Sequence, residues 1–127
     1  MKKLIPLLTL FVFATYACSN DDDTTAEAIP CTDAIIPALK VVVTNARTGA
    51  GLSTGVAVTA TDGEYIGQLS NAEMTNEFYG VDEREGTYTI TVTAAGYQPY
   101  SSPAVTVTKD ECHVITQTVT VALQPVE

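Results

Sequence analysis

Gly86-Thr87-Tyr88-Thr89-Ile90-Thr91-Val92-Thr93-Ala94 decides the fold class of this chain. Tyr88, Ile90, Val92 and Ala94 fall on one side, and Thr87, Thr89, Thr91 and Thr93 on the other. A strict two-residue period is the mark of a strand with one buried face, and β-branched threonine suits a pleated solvent face. Gly96 ends this strand at a turn. Working outward, Leu39–Asn45 is valine-rich and stops at Arg47-Thr48-Gly49-Ala50-Gly51. Gly55–Thr61 alternates, with Val56 and Val58 on one face and Ala57, Thr59 and Thr61 on the other. Asp62-Gly63 is a hairpin signal, with Glu64–Leu69 as the return strand. Ser70–Asn76 reads as a loop with room for one helical turn.

Towards the C-terminus, Ser102-Pro103 opens a strand at Ala104–Thr108, with Val105 and Val107 inward. Lys109-Asp110-Glu111 turns the chain into a last strand, His113–Leu123, with Ile115, Val119, Val121 and Leu123 inward and Gln124-Pro125 as its stop. No segment carries a sustained helical stripe. About seven short strands with turns between them give an all-β, antiparallel, two-sheet sandwich. There is no internal repeat and no second domain.

The N-terminus carries a different message. Lys2 and Lys3 precede an apolar run from Leu4 to Ala17, broken by Pro6 and too short for a stable membrane span. Cys18 follows, and then Ser19-Asn20-Asp21-Asp22-Asp23. This resembles a bacterial lipoprotein signal, in which the cysteine becomes the acylated first residue of the mature protein, carrying palmitate-type chains. The acids just after it resemble the surface-export signal of Bacteroidetes-type lipoproteins. The resemblance implies a signal peptide at 1–17, an acylated Cys18 with a flexible acidic tether over 18–30, and a folded domain at 31–127. It also implies an outer-membrane, surface-exposed location. Thr15 and Tyr16 depart from the usual lipoprotein box, and Thr15 and Ala17 also fit an ordinary secretory cut.

Cysteine arithmetic bears on this. The chain has three cysteines, Cys18, Cys31 and Cys112. With Cys18 lipidated, an even pair remains, and export permits a disulfide. A Cys31–Cys112 bridge would close a loop of about 80 residues, worth roughly 4–5 kcal/mol in the chain-entropy model.

The formal charge is −9, and loss of Lys2 and Lys3 takes it to −11. Such a surface repels phosphate backbones and anionic lipid, so nucleic acid is excluded as a partner and membrane attachment falls to acyl chains. The partners that remain are an envelope protein or a surface glycan.

Val41-Val42-Val43 with Thr48-Gly49, Gly55-Val56-Ala57-Val58, the stretch Gly86–Val92, and Ala95-Gly96-Tyr97 together resemble the carboxypeptidase regulatory-like domain. The resemblance covers about Ala38 to Leu123. It implies a seven-stranded, Greek-key, transthyretin-like (prealbumin-like) sandwich that serves as a stability, positioning or interaction module and has no catalytic residues of its own. One transthyretin relative, the hydroxyisourate hydrolase, depends on several histidines and arginines and a Tyr-Arg-Gly-Ser ending. This chain has one histidine and ends Gln124-Pro125-Val126-Glu127.

The remaining candidates are weaker. His113 sits beside Cys112 in an expected strand, so the two side chains would face opposite ways and make a poor nucleophile–base pair; a boundary histidine is expected. Asp82, Glu83 and Glu85 around Arg84 read as a charged loop before a strand, with no calcium-loop spacing. Asp21-Asp22-Asp23 does not converge on a cation without a turn. Of the aromatic residues Tyr65, Phe78, Tyr79, Tyr97 and Tyr100, the expected loop positions of Tyr79 and Tyr100 make them the candidates for contact with a sugar. No cofactor motif occurs. The expectation is a non-enzymatic lipoprotein module.

Overall fold

The computed structural model describes residues 30–126. The leader, Cys18 and the acidic tether up to residue 29 lie outside them. Eight strands form two sheets. The first sheet has the order β4 (Glu77–Asp82), β1 (Pro37–Asn45), β8 (Gln117–Leu123). The second runs β3 (Tyr65–Leu69), β2 (Val56–Asp62), β5 (Gly86–Ala94), with the short strands β6 (Tyr100–Ser101) and β7 (Val105–Val107) on the far edge of β5. The chain is a β-sandwich, and a single 3₁₀ turn at Ala72–Met74 is its one helical element among the described residues.

The sandwich is not wholly antiparallel. β1 pairs antiparallel with β4 but parallel with β8, from Leu39↔Gln117 to Asn45↔Leu123. The first and last strands therefore lie side by side. Alternation along a strand gives no information about the direction of its neighbour, which explains why the sequence alone suggested otherwise.

The inward residues make one cluster. Leu39, Val41, Val43, Phe78, Val121 and Leu123 from the small sheet close over Val58, Ala60, Ile90 and Val92 from the large one, all almost fully buried. At roughly 25 cal/mol per Å² of apolar surface removed from water, such side chains contribute about 1.5–3 kcal/mol each against the entropy of ordering the chain. Tyr88, on the same face as Ile90 and Val92, is fully buried despite its hydroxyl. That group donates to Arg84 O at 2.8 Å and accepts from Arg84 Nη1 at 2.8 Å, so nothing polar is stranded.

Local chemistry shapes the turns. The β2–β3 hairpin pairs Asp62 with Tyr65, leaving Gly63-Glu64 at its tip; Gly63 has φ +59°. That is one residue later than the Asp-Gly motif suggested. Asn45 organises the turn after β1 through its side chain. Its Oδ1 accepts the N–H groups of Arg47 and Thr48 at 2.8 and 3.2 Å, and its Nδ2 donates to the Tyr97 hydroxyl at 3.1 Å. Gly86 is held at φ +157°, where an added Cβ would lie 2.5 Å from Asp62 Oδ2.

Two strands differ from the sequence reading. β4 occupies residues expected as loop, and its alternation is broken because its buried residues, Phe78 and Val81, are three apart instead of two. Val81 takes φ +60°, which turns its side chain back into the core and breaks the alternation. The last strand begins at Gln117, not at His113. Before it, Val114 is buried, whereas Ile115, expected inward, is 47% exposed.

The split between β6 and β7 has a clear cause. Pro103 has no N–H for the ladder. At the break, Ser102 stands in for a strand residue: its N–H donates to Ile90 O and its Oγ accepts the Ile90 N–H, both at 2.8 Å. Ser102→Ala should thus leave a buried N–H without a partner and destabilise the domain by about 1–3 kcal/mol. Denaturant unfolding of the two proteins measures this directly, and a difference below about 0.5 kcal/mol would mean that another group has taken over the bond.

Candidate functional site

The chemistry of the described residues concentrates at the end of the sandwich where the chain enters. There the segment before β1 runs beside the loop before β8. Cys31 and Cys112 are joined across a sequence separation of 81, with their Cα atoms 5.2 Å apart. The bridge expected from the cysteine count is present.

Glu83, expected in a charged loop before a strand, is the centre of this end. It follows Val81 and Asp82 out of β4 and takes a left-handed φ of +53°. Its own N–H donates to Ile36 O at 3.0 Å. In return its carboxylate accepts three bonds. Ile36 N–H reaches Oε1 at 2.9 Å, His113 Nδ1 lies 2.6 Å from the same oxygen, and Val114 N–H reaches Oε2 at 3.3 Å. One side chain thus ties the start of β1 to the loop before β8. The Ile36 N–H, with help from His113 and Val114, holds the Glu83 carboxyl below the usual carboxylate range against the opposing effect of burial.

Asp110 braces the same loop. Its carboxylate accepts the N–H groups of Cys112 at 2.8 Å and His113 at 2.9 Å. The His113 and Cys112 N–H groups depress its pKa in turn. His113 is a boundary histidine, as expected, with its side chain 20% exposed. Its second ring nitrogen, Nε2, lies 3.1 Å from Thr32 Oγ1.

A second polar cluster covers the mouth of the β2–β3 hairpin. Arg84 Nη1 bonds to Asp62 Oδ2 at 3.1 Å and to the Tyr88 hydroxyl, and its guanidinium lies 3.9 Å from the centroid of Tyr65. The Tyr88 hydroxyl and Asp62 raise the Arg84 pKa further. This is a stacked, bonded arginine covering a buried tyrosine, a structural role that the loop reading missed.

Tyr79 and Tyr100 do not sit in loops and do not come together. Tyr79 is in β4 on the small sheet, 37% exposed, and donates to Glu77 Oε2 at 2.8 Å. Lys40 lies 3.0 Å from the other Glu77 oxygen and 5.7 Å from the Tyr79 ring. Tyr100 is in β6 on the large sheet, half-buried against the core. Phe78 is buried, Tyr65 carries Arg84, and Tyr97 packs on the core. The aromatic residues therefore form no common platform. Glu83 turns to His113 and Glu85 to Lys109 at 3.9 Å, so these carboxylates diverge. Among the described residues, no group of three His, Cys, Asp or Glu side chains is placed to hold a metal.

No protein-family model matches this chain, and no curated protein matches it.

Glu83, Glu77 and Asp110 all have carboxyl groups lowered by their partners in the folded state. Their contribution to stability is complete above the ordinary carboxylate range, near pH 4.5 for Glu83 and Glu77. It is lost as the pH falls below that through the lowered folded values, because the unfolded chain binds the protons more tightly. Unfolding measured across this window should show stability declining with acid, and Glu83→Gln should flatten the decline. A variant with an undiminished acid slope would place the titrating groups elsewhere. Reduction of the disulfide should lower the stability by up to about 4–5 kcal/mol, against the roughly 5–15 kcal/mol of a typical domain. The thermal midpoint with and without a thiol reductant reads this effect.

Proposed function

We propose that this chain is a non-enzymatic lipoprotein anchored in the outer membrane through acyl chains on Cys18. Its β-sandwich serves as a structural or protein-interaction module of the cell envelope. The observation that supports this best is the Cys31–Cys112 bridge. It accounts for two of the three cysteines and leaves Cys18, directly after a basic and apolar leader, as the odd one. One lipid chain binds a membrane only marginally, so stable anchoring calls for two or more. The acidic residues after Cys18 favour display at the cell surface, with 18–30 as the spacer.

Finer fold identity is part of this reading. The mature domain is taken as a transthyretin-like, Greek-key member of the carboxypeptidase regulatory-like group, on the strength of the Gly86–Val92 and Ala95-Gly96-Tyr97 stretches. In that group the domain positions or stabilises larger assemblies. The load from the anchor enters at Cys31 and is shared through the disulfide with the loop before β8, which suits a module that must hold its shape while tethered.

A second reading, a surface carbohydrate-binding module, is favoured by one observation. Tyr79 is an exposed ring on a sheet face, flanked by the hydrogen-bonding groups of Lys40 and Glu77. If it holds, Tyr79→Ala should abolish binding on a glycan panel. Tyr100→Ala, on the other sheet, should change stability more than binding.

Intact-mass spectrometry of protein from the native envelope, together with protease shaving of whole cells, tests the main reading. An acylated mass starting at Cys18, lost on shaving, is the expected result. An unmodified mass would make this a soluble exported domain, and an acylated but protected protein would move it inside the envelope.

A further inference from the structure

Thr32, His113 and Glu83 come from three distant parts of the chain and stand in line. Glu83 Oε1 lies 2.6 Å from His113 Nδ1, and His113 Nε2 lies 3.1 Å from Thr32 Oγ1. The proton positions follow from the groups themselves. An ionised carboxylate only accepts, so Nδ1 carries the hydrogen. In the neutral form of such a ring the lone pair is on Nε2, where it can accept the Thr32 hydroxyl. A hydroxyl, an imidazole and a carboxylate in this order are the arrangement in which the ring takes the proton of an attacking oxygen. The carboxylate then fixes the tautomer and stabilises the imidazolium.

The geometry is held from all sides. Glu83 is fixed by the Ile36 and Val114 N–H groups and by its own N–H to Ile36 O. The backbone of His113 is fixed by Asp110. Cys31 immediately precedes Thr32 and Cys112 immediately precedes His113, so the disulfide sets the spacing between hydroxyl and ring. Thr32 is exposed, within reach of a donor in solution.

We propose that Thr32 Oγ1 is an activated nucleophile that accepts an acyl group from ester donors, with His113 as its general base and Glu83 as the positioning residue. This goes beyond the anchoring reading and does not depend on it. The step balances without a metal or a redox partner. The Thr32 oxygen attacks the ester carbonyl and gives its proton to His113 Nε2. A bond forms from Oγ1 to the acyl carbon, and the bond to the leaving alkoxide breaks. The alkoxide departs as the alcohol, carrying the proton from Nε2. Thr32 is left as an ester and His113 returns to neutral. Asp33 and Glu111 adjoin the two ends of the site in sequence, so the donor class is an uncharged or cationic ester.

The test uses the full-length, oxidised protein with p-nitrophenyl acetate as the acyl donor, followed by peptide mapping. The expected result is acetyl on Thr32 at a rate at least about tenfold above that at exposed Thr118 and Thr120 of the same molecules. That comparison needs no variant to fold. Thr32→Val should remove the adduct, and His113→Ala should slow it by about a hundredfold, the low end of general-base catalysis. Free imidazole should restore Thr32 labelling in His113→Ala, which a purely structural histidine would not permit. Glu83→Asp should keep more of the rate than Glu83→Gln. Equal labelling of all exposed threonines, or labelling confined to lysines, would overturn the proposal. So would Thr32 labelling unaffected by His113→Ala with the disulfide intact, and the three residues would then be a hydrogen-bonded staple only.

Discussion

The parallel pairing of β1 with β8 is the constraint on which the rest of the domain depends. β1 is the middle strand of its sheet and has β4 on its other side. Without β8, one edge of β1 would expose a row of unpaired backbone groups beside the buried valines. Yet β8 follows β1 by about 80 residues, and the two strands must find each other across nearly the whole domain. Such non-local closure is slow and entropically costly. The Cys31–Cys112 bridge lies just before both strands and holds their leading ends together. It acts mostly on the unfolded chain, by removing the freedom that closure would otherwise have to overcome.

The same end of the molecule stores backbone strain. Val81 and Glu83 are non-glycine residues at φ +60° and +53°. Left-handed conformations of this kind cost of order 1–3 kcal/mol each and persist only where the surroundings overdetermine them. Here the compensation is visible. Val81 is returned to the core, and Glu83 is aimed so that its carboxylate meets two backbone N–H groups and an imidazole. Strain, disulfide and hydrogen bonds therefore converge on the residues around Thr32 and His113. A plain surface loop would not need such reinforcement.

Charge is distributed unevenly. The chain has 15 acidic against 6 basic residues, and three of the bases among the described residues are committed to particular tasks. Lys40 lies against Glu77 and Tyr79, and Lys109 faces Glu85. Exposed pairs of this sort contribute little to stability. Arg84 differs because it stacks on Tyr65 and bonds the buried Tyr88 hydroxyl, so removing it would uncover an aromatic core residue as well as a charge.

What the sequence determined by itself is what repeats along the chain. Two-residue alternation encodes burial directly, so the strand at Gly86–Ala94, the valine-rich β1, the β2–β3 hairpin and the all-β class were legible. The three cysteines indicated which two would pair once the leader had singled out Cys18. Tertiary structure decided what no local period carries. β4 was hidden because a left-handed Val81 resets its alternation. The strand after Ser102-Pro103 was legible from its alternation, but β6 before it was not, because two residues are too short to show a period. The direction of β8 was invisible because its partner lies some 80 residues away, a separation at which only closure energetics act. The alignment of Thr32, His113 and Glu83 needed the disulfide, the bend after β4 and the loop before β8 at once. Each of these residues has an ordinary neighbourhood in sequence, and only the packing of three segments makes them neighbours in space.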